Sequence, residues 1–439
     1  MVESEIRAII KEQNVEAVRL WFVDILGQIK GFSISVSELD RALEEGIGFD
    51  GSSVEGFVRI EESDLIAKPD LDTFFVLPWE VGGVKTGVML CDIYYPDGTP
   101  FESDPRYVLK KNLEKASQEG FTYYVGPELE YFYFPSDKEP IPLDKEGYFD
   151  VFPFDEASYA REETFLVLKS IGIELEAIHH EVANSQHEID FRYKDALKMA
   201  DQLIITKAIV KEVARRHGLY ATFMPKPIFG MNGSGLHVHQ SLFKDGDNAF
   251  YSPDDPYNLS DVGRGFLAGL LKHSKEITAV TNQWVNSYKR LVVGYEAPVY
   301  ISWGRKNRSA LVRVPAFKPQ KHKSCRLEYR SPDPATNPYF AFSVMLEAGL
   351  DGVEKQYPLP DPIEQDIFHL SQEEKEKLGI DSLPGNLYAA IQEMEKSEVV
   401  REALGEVVFE KYIKNKKAEW EAYRTQVTDY EIKTYLPKL

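Results

Sequence analysis

Three short segments of this chain alternate charged and apolar residues one for one, which commits each to a β-strand with its charges on one face. They are Glu128-Leu129-Glu130, His237-Val238-His239 and Arg326-Leu327-Glu328-Tyr329-Arg330. A helix would scatter these charges around its axis, so the pattern fixes strands at the heart of the fold. The middle segment follows the glycine-rich loop Phe229-Gly230-Met231-Asn232-Gly233-Ser234-Gly235, whose backbone can approach a ligand closely. Brought together, the three strands make a floor of carboxylates, imidazoles and guanidiniums.

The ordinary explanation for such alternation is the solvent face of a half-buried sheet. Around Glu128 and Glu130 that explanation fits poorly. The flanks, Tyr123-Tyr124-Val125 and Tyr131-Phe132-Tyr133-Phe134, are too aromatic for a solvated strand. Two carboxylates on one buried face suit a hard divalent cation. Glu181 and Glu188 stand seven apart across Asn184-Ser185-Gln186, which reads as a loop. With Glu128, Glu130, His237 and Glu328 they make six donors, five carboxylates and one imidazole. An oxygen-rich set of that kind predicts magnesium or manganese rather than zinc. Six donors suit two ions, the arrangement that clamps a transferring phosphoryl group.

The anion side comes from Arg290, Arg305, Arg308, Arg313, Arg326 and Arg330, because arginine pairs in bidentate fashion with carboxylate and phosphate. Lys318, Lys321 and Lys323 read as a solvated basic face. The usual nucleotide signatures are missing. Gly82-Gly83-Val84-Lys85-Thr86 has valine where a phosphate loop needs glycine before the lysine. If ATP is used, metals and arginines must hold its phosphates.

Composition narrows the remaining classes. A net charge of −20 argues against nucleic acid as the main partner, without excluding a small anionic substrate. No run of about 18 apolar residues is present, so no membrane span is expected. Two cysteines, Cys91 and Cys325, in no metal-binding spacing, and an acidic N-terminus unlike a signal peptide predict a cytoplasmic protein.

The 439 residues divide at the turn-rich stretch Tyr95–Pro100, giving a region 1–100 and a region 101–439. In the first, helix is expected over Val2–Gln13 and from Ser37 to Gly46. Strands are expected at Val15–Asp24, Ile29–Ser33, Asp64–Lys68, Thr73–Leu77 and Gly87–Tyr95, with Phe49-Asp50-Gly51-Ser52-Ser53 as a polar loop. In the second, helices are expected at Pro105–Glu119, from an Asp155 cap to Ser170, and at Lys194–His217, Asp261–Ala279 and Ala335–Leu350. A long strand is expected over Tyr123–Phe134, and residues from Glu373 on read as mostly helical. The class is α+β: a small sheet domain, then a larger one with antiparallel strands and helices.

In this order and spacing the motifs resemble type I glutamine synthetases over nearly the whole chain. The resemblance rests on Phe49-Asp50-Gly51-Ser52-Ser53, Gly126-Pro127-Glu128-Leu129-Glu130, His180-Glu181-Val182-Ala183 and Asn232-Gly233-Ser234-Gly235-Leu236-His237-Val238-His239. It rests equally on Lys289-Arg290-Leu291, Gly294-Tyr295-Glu296-Ala297-Pro298, Asn307-Arg308-Ser309-Ala310 and Arg326-Leu327-Glu328-Tyr329-Arg330-Ser331-Pro332-Asp333. It implies a small β-grasp-like N-terminal domain, a large catalytic domain, and a homododecamer of two stacked six-membered rings with active sites between subunits. The implied reaction joins ammonium to L-glutamate at the expense of ATP, through γ-glutamyl phosphate.

Carried over residue by residue, Glu130, Glu181 and Glu188 would hold one metal, and Glu128, His237 and Glu328 the other. Glu176, Tyr193, His239, Ser241, Arg313 and Arg326 would line the ATP site. Asn232, Gly233, Arg290 and Arg330 would bind glutamate, Arg308 would stabilise the phosphoryl group in flight, and Glu296 would sit in a flap over the acyl phosphate. Asp50, from a neighbouring subunit, with Ser53, Tyr148 and Glu181, would form the ammonium site. Where adenylylated relatives carry a modified tyrosine this chain has Phe368, which implies the non-adenylylated group, with Arg59 the candidate for glutamine feedback. Regulatory protein partners are compatible with the resemblance. A γ-glutamyl-amine ligase and a non-catalytic nitrogen-sensing relative are the rivals. The latter would be expected to lose metal ligands or arginines, and all are present.

Overall fold

The computed structural model describes residues 1–439 except 53, 55, 57–63 and 319. Its first sheet has strands β1 (Val15–Val23), β2 (Ile29–Ser35), β3 (Ile47–Asp50), β4 (Asp64–Pro69), β5 (Phe75–Val76) and β6 (Lys85–Tyr94). The order is β2-β1-β6-β4-β3, with β5 also on β6 and only the β1–β6 pairing parallel. Helices α1 (Glu3–Glu12) and α2 (Leu39–Glu44) accompany it. Ile6 and Ile10 of α1, with Val18, Leu20 and Phe22 of β1, are buried in a small separate core.

The second sheet contains β7 (Thr122–Phe134), β8 (Leu175–His180), β9 (Gln186–Phe191), β10 (Lys194–Asp195), β11 (Tyr220–Thr222), β12 (Leu236–Lys244), β13 (Asp247–Asn248), β14 (Tyr300–Gly304), β15 (Ala310–Arg313), β16 (Leu327–Tyr329) and β17 (Asp381–Ser382). Its main path runs β17-β14-β15-β16-β12-β7-β9-β8, antiparallel except between β14 and β15. The helices here are α3 (Pro105–Gln118), α4 (Ser158–Ser170), α5 (Ala196–Arg216), α6 (Asp261–Thr281), α7 (Ser287–Arg290) and α8 (Pro338–Lys355), then α9 to α13 at Gln372–Lys377, Leu387–Met394, Glu398–Leu404, Glu406–Arg424 and Asp429–Tyr435. Apolar stripes on α3, α5, α6 and α8 enter one large core with the inner face of the sheet. α6 and α8 approach closely because glycines face each other: a Cβ on Gly269 would lie 2.1 Å from the Ala348 carbonyl oxygen.

The two sheets are tied together by Arg106, which is buried. It donates to Asp92 at 2.6 Å and Asp70 at 2.7 Å on the small-sheet side, and to Asp201 of α5 at 3.0 Å. Among the described residues, no helix is long and apolar enough to cross a membrane.

Several expected boundaries are corrected. Ser35, not Ser37, caps the first turn after β2, accepting from the Ser37 N–H. Phe49 and Asp50 belong to a strand, because β3 pairs with β4 over Ile47–Asp50. Asp155 does not cap α4, which begins at Ser158; its carboxylate accepts from the Ala157 N–H and pairs with Arg161. α5 begins after Asp195, whose side chain accepts from the Lys198 N–H, and α8 begins at Pro338 behind an Asn337 cap. The loop expected at Asn184-Ser185-Gln186 holds for Asn184 and Ser185, the turn between β8 and β9, but Gln186 already opens β9, which carries Glu188.

Candidate active site

β12 lies between β7 and β16, so His237 stands opposite Glu128 on one side and His239 opposite Glu328 on the other. β9 flanks β7 and sets Glu188 opposite Glu130 and Asp190 opposite Glu128. β15 brings Arg313 opposite Glu328. Antiparallel registry therefore gathers residues distant in sequence onto one face. A cavity of about 380 Å³ opens over it, lined by Glu128, Glu130, Glu181, Glu188, Asp190, Glu328, His179 and His237 together with Arg290, Arg308, Arg313 and Arg330.

The side chains are held in place by hydrogen bonds. Glu128 receives His237 Nδ1 at 3.0 Å and His239 Nε2 at 2.8 Å. Arg326 Nε donates to His239 Nδ1 at 3.1 Å, so the His239 proton is assigned to Nε2. Glu130 accepts from the Gly235 N–H at 2.8 Å and from Gln186 Nε2 at 3.0 Å. Glu328 pairs with Arg313 and, at 3.2 Å, with Arg330. Arg290 is buried and donates to the carbonyls of Ser331, Pro332 and Arg330. Arg330 Nε is buried with no hydrogen-bond partner, a donor available to an anion.

Charge is unevenly held. Burial, and then the neighbouring Glu130 carboxylate, push Glu181 up to about 8 and Glu188 up to about 12. Burial opposes ionisation of Glu128 too, but hydrogen bonds from His237 and His239 outweigh it and hold that carboxyl well below the usual range. The cluster cannot carry all its negative charge unaided, which is the condition a cation relieves. The geometry fits one: donor oxygens of Glu130, Glu181 and Glu188 lie within 4.8 Å of one another, as do donor atoms of Glu128, His239 and Glu328. A third set, Asp155, His180 and His187, is also close, but Arg161 already donates to Asp155 and to His187 Nδ1.

The residues singled out in the sequence fall into five groups. Glu128, Glu130, Tyr148, Glu181, Glu188, Asn232, Gly233, His237, Arg290, Glu296, Arg308, Arg313, Glu328 and Arg330 line the cavity. Glu176, Tyr193, His239, Ser241 and Arg326 do not line it but sit beside it. Ser241 lies on β12 opposite Tyr124, whose ring meets Tyr193 edge-on at 5.8 Å, and the Glu176 charge acts on Arg326. Asp50 is exposed at the end of β3 and is not among the described residues lining this cavity. Ser53 and Arg59 lie outside the described residues. Arg305 also leaves the arginine cluster, stacking on Tyr257 at 4.9 Å.

Some lining residues escaped the sequence reading. Asp190 follows Glu188-Ile189 in the same alternation that marked Glu128 and Glu130, so its signal was present. His179, 3.1 Å from Glu188 and edge-on to the Tyr148 ring at 5.4 Å, and Gln186 carry no such pattern.

Comparison with known proteins decides which chemistry this site serves. Residues 14–96 match the family described as glutamine synthetase, beta-Grasp domain, and residues 102–435 that described as glutamine synthetase, catalytic domain. The chain belongs to the glutamine synthetase family. It is 51% identical over 440 aligned residues to the glutamine synthetase of Thermotoga maritima, covering 99% of this chain and 100% of that one. The Methanocaldococcus jannaschii glutamine synthetase is 49% identical, with 97% and 96% covered. The fold agrees with the Plasmodium falciparum glutamine synthetase solved by cryo-electron microscopy, at a TM-score of 0.89 and 28% identity, over 99% of each chain. A structure titled GmaS/ADP complex also gives 0.89, at 33% identity over 98% of this chain and 99% of that one. The chain is thus a type I glutamine synthetase, an ATP-dependent ligase that forms glutamine from glutamate and ammonium and uses a divalent metal.

Proposed function

We propose that the cavity carries out both halves of glutamine synthesis, with its side chains dividing the work by charge. The observation that carries this reading is a single cavity lined by both a carboxylate–imidazole cluster and four arginines. Glu130, Glu181 and Glu188 would hold one ion, and Glu128, His237 and Glu328 the other, magnesium or manganese being the ions such oxygen-rich donors favour. His237 is preferred over His239 because the latter already receives Arg326 on one nitrogen and donates from the other. When bound, such ions neutralise phosphate oxygens.

Arg308 and Arg313 address the ATP phosphates, and Glu176, Tyr193, His239, Ser241 and Arg326 the rest of the nucleotide. Asn232, Gly233, Arg290 and Arg330 orient glutamate. Its γ-carboxylate oxygen then bonds to the γ-phosphorus, and ADP departs with the electron pair of the broken P–O bond. Ammonium gives up a proton at a site formed by Asp50 and Ser53 of a neighbouring subunit with Tyr148 and Glu181. The ammonia so formed attacks the acyl carbon, and phosphate leaves. Glu296 shields that carbon from water. Its backbone φ of 57° in a non-glycine residue supports a strained, functional loop.

Residues 1–100 form the β-grasp-like domain and 101–439 the catalytic domain. The assembly is a cytoplasmic homododecamer of two stacked hexameric rings. Exposed Phe152, Phe154, Tyr159, Leu166, Tyr430 and Leu436 support burial between subunits. Phe368 leaves no hydroxyl for adenylylation, and Arg59 is assigned to feedback by glutamine. Glutamate labelled with ¹⁸O in its γ-carboxylate tests the chemistry. One labelled oxygen should appear in the released phosphate, and unlabelled phosphate would refute the acyl-phosphate route.

A further inference from the structure

The glutamate loop and the flap share a support that the reaction as described does not use. Ser234 N–H donates to the Pro225 carbonyl at 2.8 Å, and a Cβ on Gly233 would lie 2.4 Å from that same oxygen. The loop is therefore pressed against the segment leading into Lys226. Both backbone groups of Lys226 are held by one side chain: its N–H donates to Asn286 Oδ1 at 2.8 Å, and its carbonyl accepts from Asn286 Nδ2 at 3.1 Å. The lysine side chain thus projects from a fixed post.

That side chain is buried, and among the described residues no carboxylate pairs with it. Its ammonium instead donates to the Met231 carbonyl and sits 3.7 Å from the centroid of the Tyr295 ring. Burying an ammonium without a counter-ion is costly, and a methionine would fill the space without that cost. Burial and the Arg290 charge lower its pKa accordingly. The two groups it contacts belong to different loops: Met231 precedes Asn232 and Gly233, and Tyr295 precedes Glu296. Tyr295 lies between Gly294 at φ 98° and Glu296 at φ 57°, a backbone that outside contacts must hold. A second tie joins the same loops, Asn232 Nδ2 donating to Glu296 Oε2 at 3.4 Å.

We propose that Lys226 is a positioning residue that latches the flap to the glutamate loop, so that a bound glutamate closes the site before the acyl phosphate forms. The inference rests on the roles given above to Asn232, Gly233 and Glu296. Glutamate that fixes the loop fixes the Met231 carbonyl, hence the ammonium, hence the ring it faces. Without the latch the flap opens while γ-glutamyl phosphate is present. Water oxygen then bonds to the acyl carbon, the C–O bond to phosphate breaks, phosphate leaves with the electron pair, and glutamate is regenerated.

The test compares full-length wild type, Lys226→Met, Lys226→Arg and Tyr295→Leu at saturating glutamate and limiting ammonium, reading phosphate released per glutamine formed. Wild type should stay near one. Lys226→Met should release clear excess phosphate and raise KM for glutamate about tenfold, the order expected for losing a desolvated cation–π contact. Lys226→Arg, which still stacks and donates, should restore the ratio. Tyr295→Leu should show the same excess and stands in if Lys226→Met does not assemble. Hydrogen exchange over residues 292–297 should quicken in Lys226→Met whatever chemistry the site performs. Unchanged exchange, or faster exchange with the ratio still near one, overturns the latch. A wild type that makes no glutamine overturns the site reading instead, and leaves the exchange comparison standing as the test of the latch.

Discussion

Replacing Glu188 by glutamine separates metal binding from folding. In the metal-free protein Glu188 keeps its proton at neutral pH, because burial and the Glu130 charge push it up to about 12. Glutamine has the same shape and a neutral head and needs no proton uptake on folding at neutral pH, so the metal-free variant should unfold at or above the wild-type midpoint. With metal the two proteins part. Wild type at a free magnesium concentration about 100 times its Kd gains about 2.7 kcal/mol from binding. Losing even an indirect supporter of a metal ligand weakens affinity by about 10- to 100-fold, so losing one of three carboxylate donors should cost at least about 100-fold. The variant at the same concentration then gains only about 0.4 kcal/mol. Denaturant midpoints with excess magnesium and with a chelator measure both quantities. Equal metal-induced shifts in the two proteins would refute the assignment of Glu188. A large metal-free loss in the variant would refute the protonated state inferred from its surroundings.

Three more outcomes follow from the geometry. Gly233→Ala would set a Cβ 2.4 Å from the Pro225 carbonyl and 3.1 Å from Arg290 Cγ, so the glutamate loop must move. kcat/KM for glutamate should fall by about 100-fold, and an unchanged value would contradict the placement. Asp50→Ala should impair use of ammonium more than ADP formation, and equal loss of both in steady-state assays would remove Asp50 from the ammonium site. Burial, followed by repulsion from Asp92, raises Asp104 from 3.8 to about 7, so the native state holds that proton more tightly than the unfolded chain. The stability this contributes is complete below about pH 4 and is lost as pH rises through 7. Asp104→Asn should flatten the denaturant midpoint between pH 5 and 8, and an unaltered slope would contradict the assignment.

What the sequence revealed depended on whether a function left a local pattern. Glu128/Glu130 and His237/His239 were legible because a strand converts spacing directly into facing. Glu188 was singled out and lines the cavity, yet its strand was hidden by Asn184-Ser185-Gln186, whose turn chemistry dominates a six-residue strand. The start of α4 was misplaced because Asp155 looks like a cap but accepts from the Ala157 N–H ahead of the helix, and α8 was begun three residues early, at Ala335, ahead of its Asn337 cap. β3 was missed because Phe49 and Asp50 pair with a strand that no short-range signal links to them. Arg106 gave no sign at all. Its acids at positions 70, 92 and 201 meet only after two sheets have formed and docked. Lys226 was equally silent, since a lysine held by a carbonyl and a ring looks like any other in sequence.

The central claim is that one cavity lined by carboxylates, imidazoles and arginines couples ATP cleavage to glutamine formation. Phosphate release and glutamine should be measured together, with magnesium, while glutamate, ammonium and ATP are omitted in turn and methylamine then replaces ammonium. The account predicts glutamine only when all three substrates are present, one phosphate for each glutamine, and weak turnover with methylamine. Rapid phosphate release without glutamate, or faster turnover with methylamine than with ammonium, would contradict it.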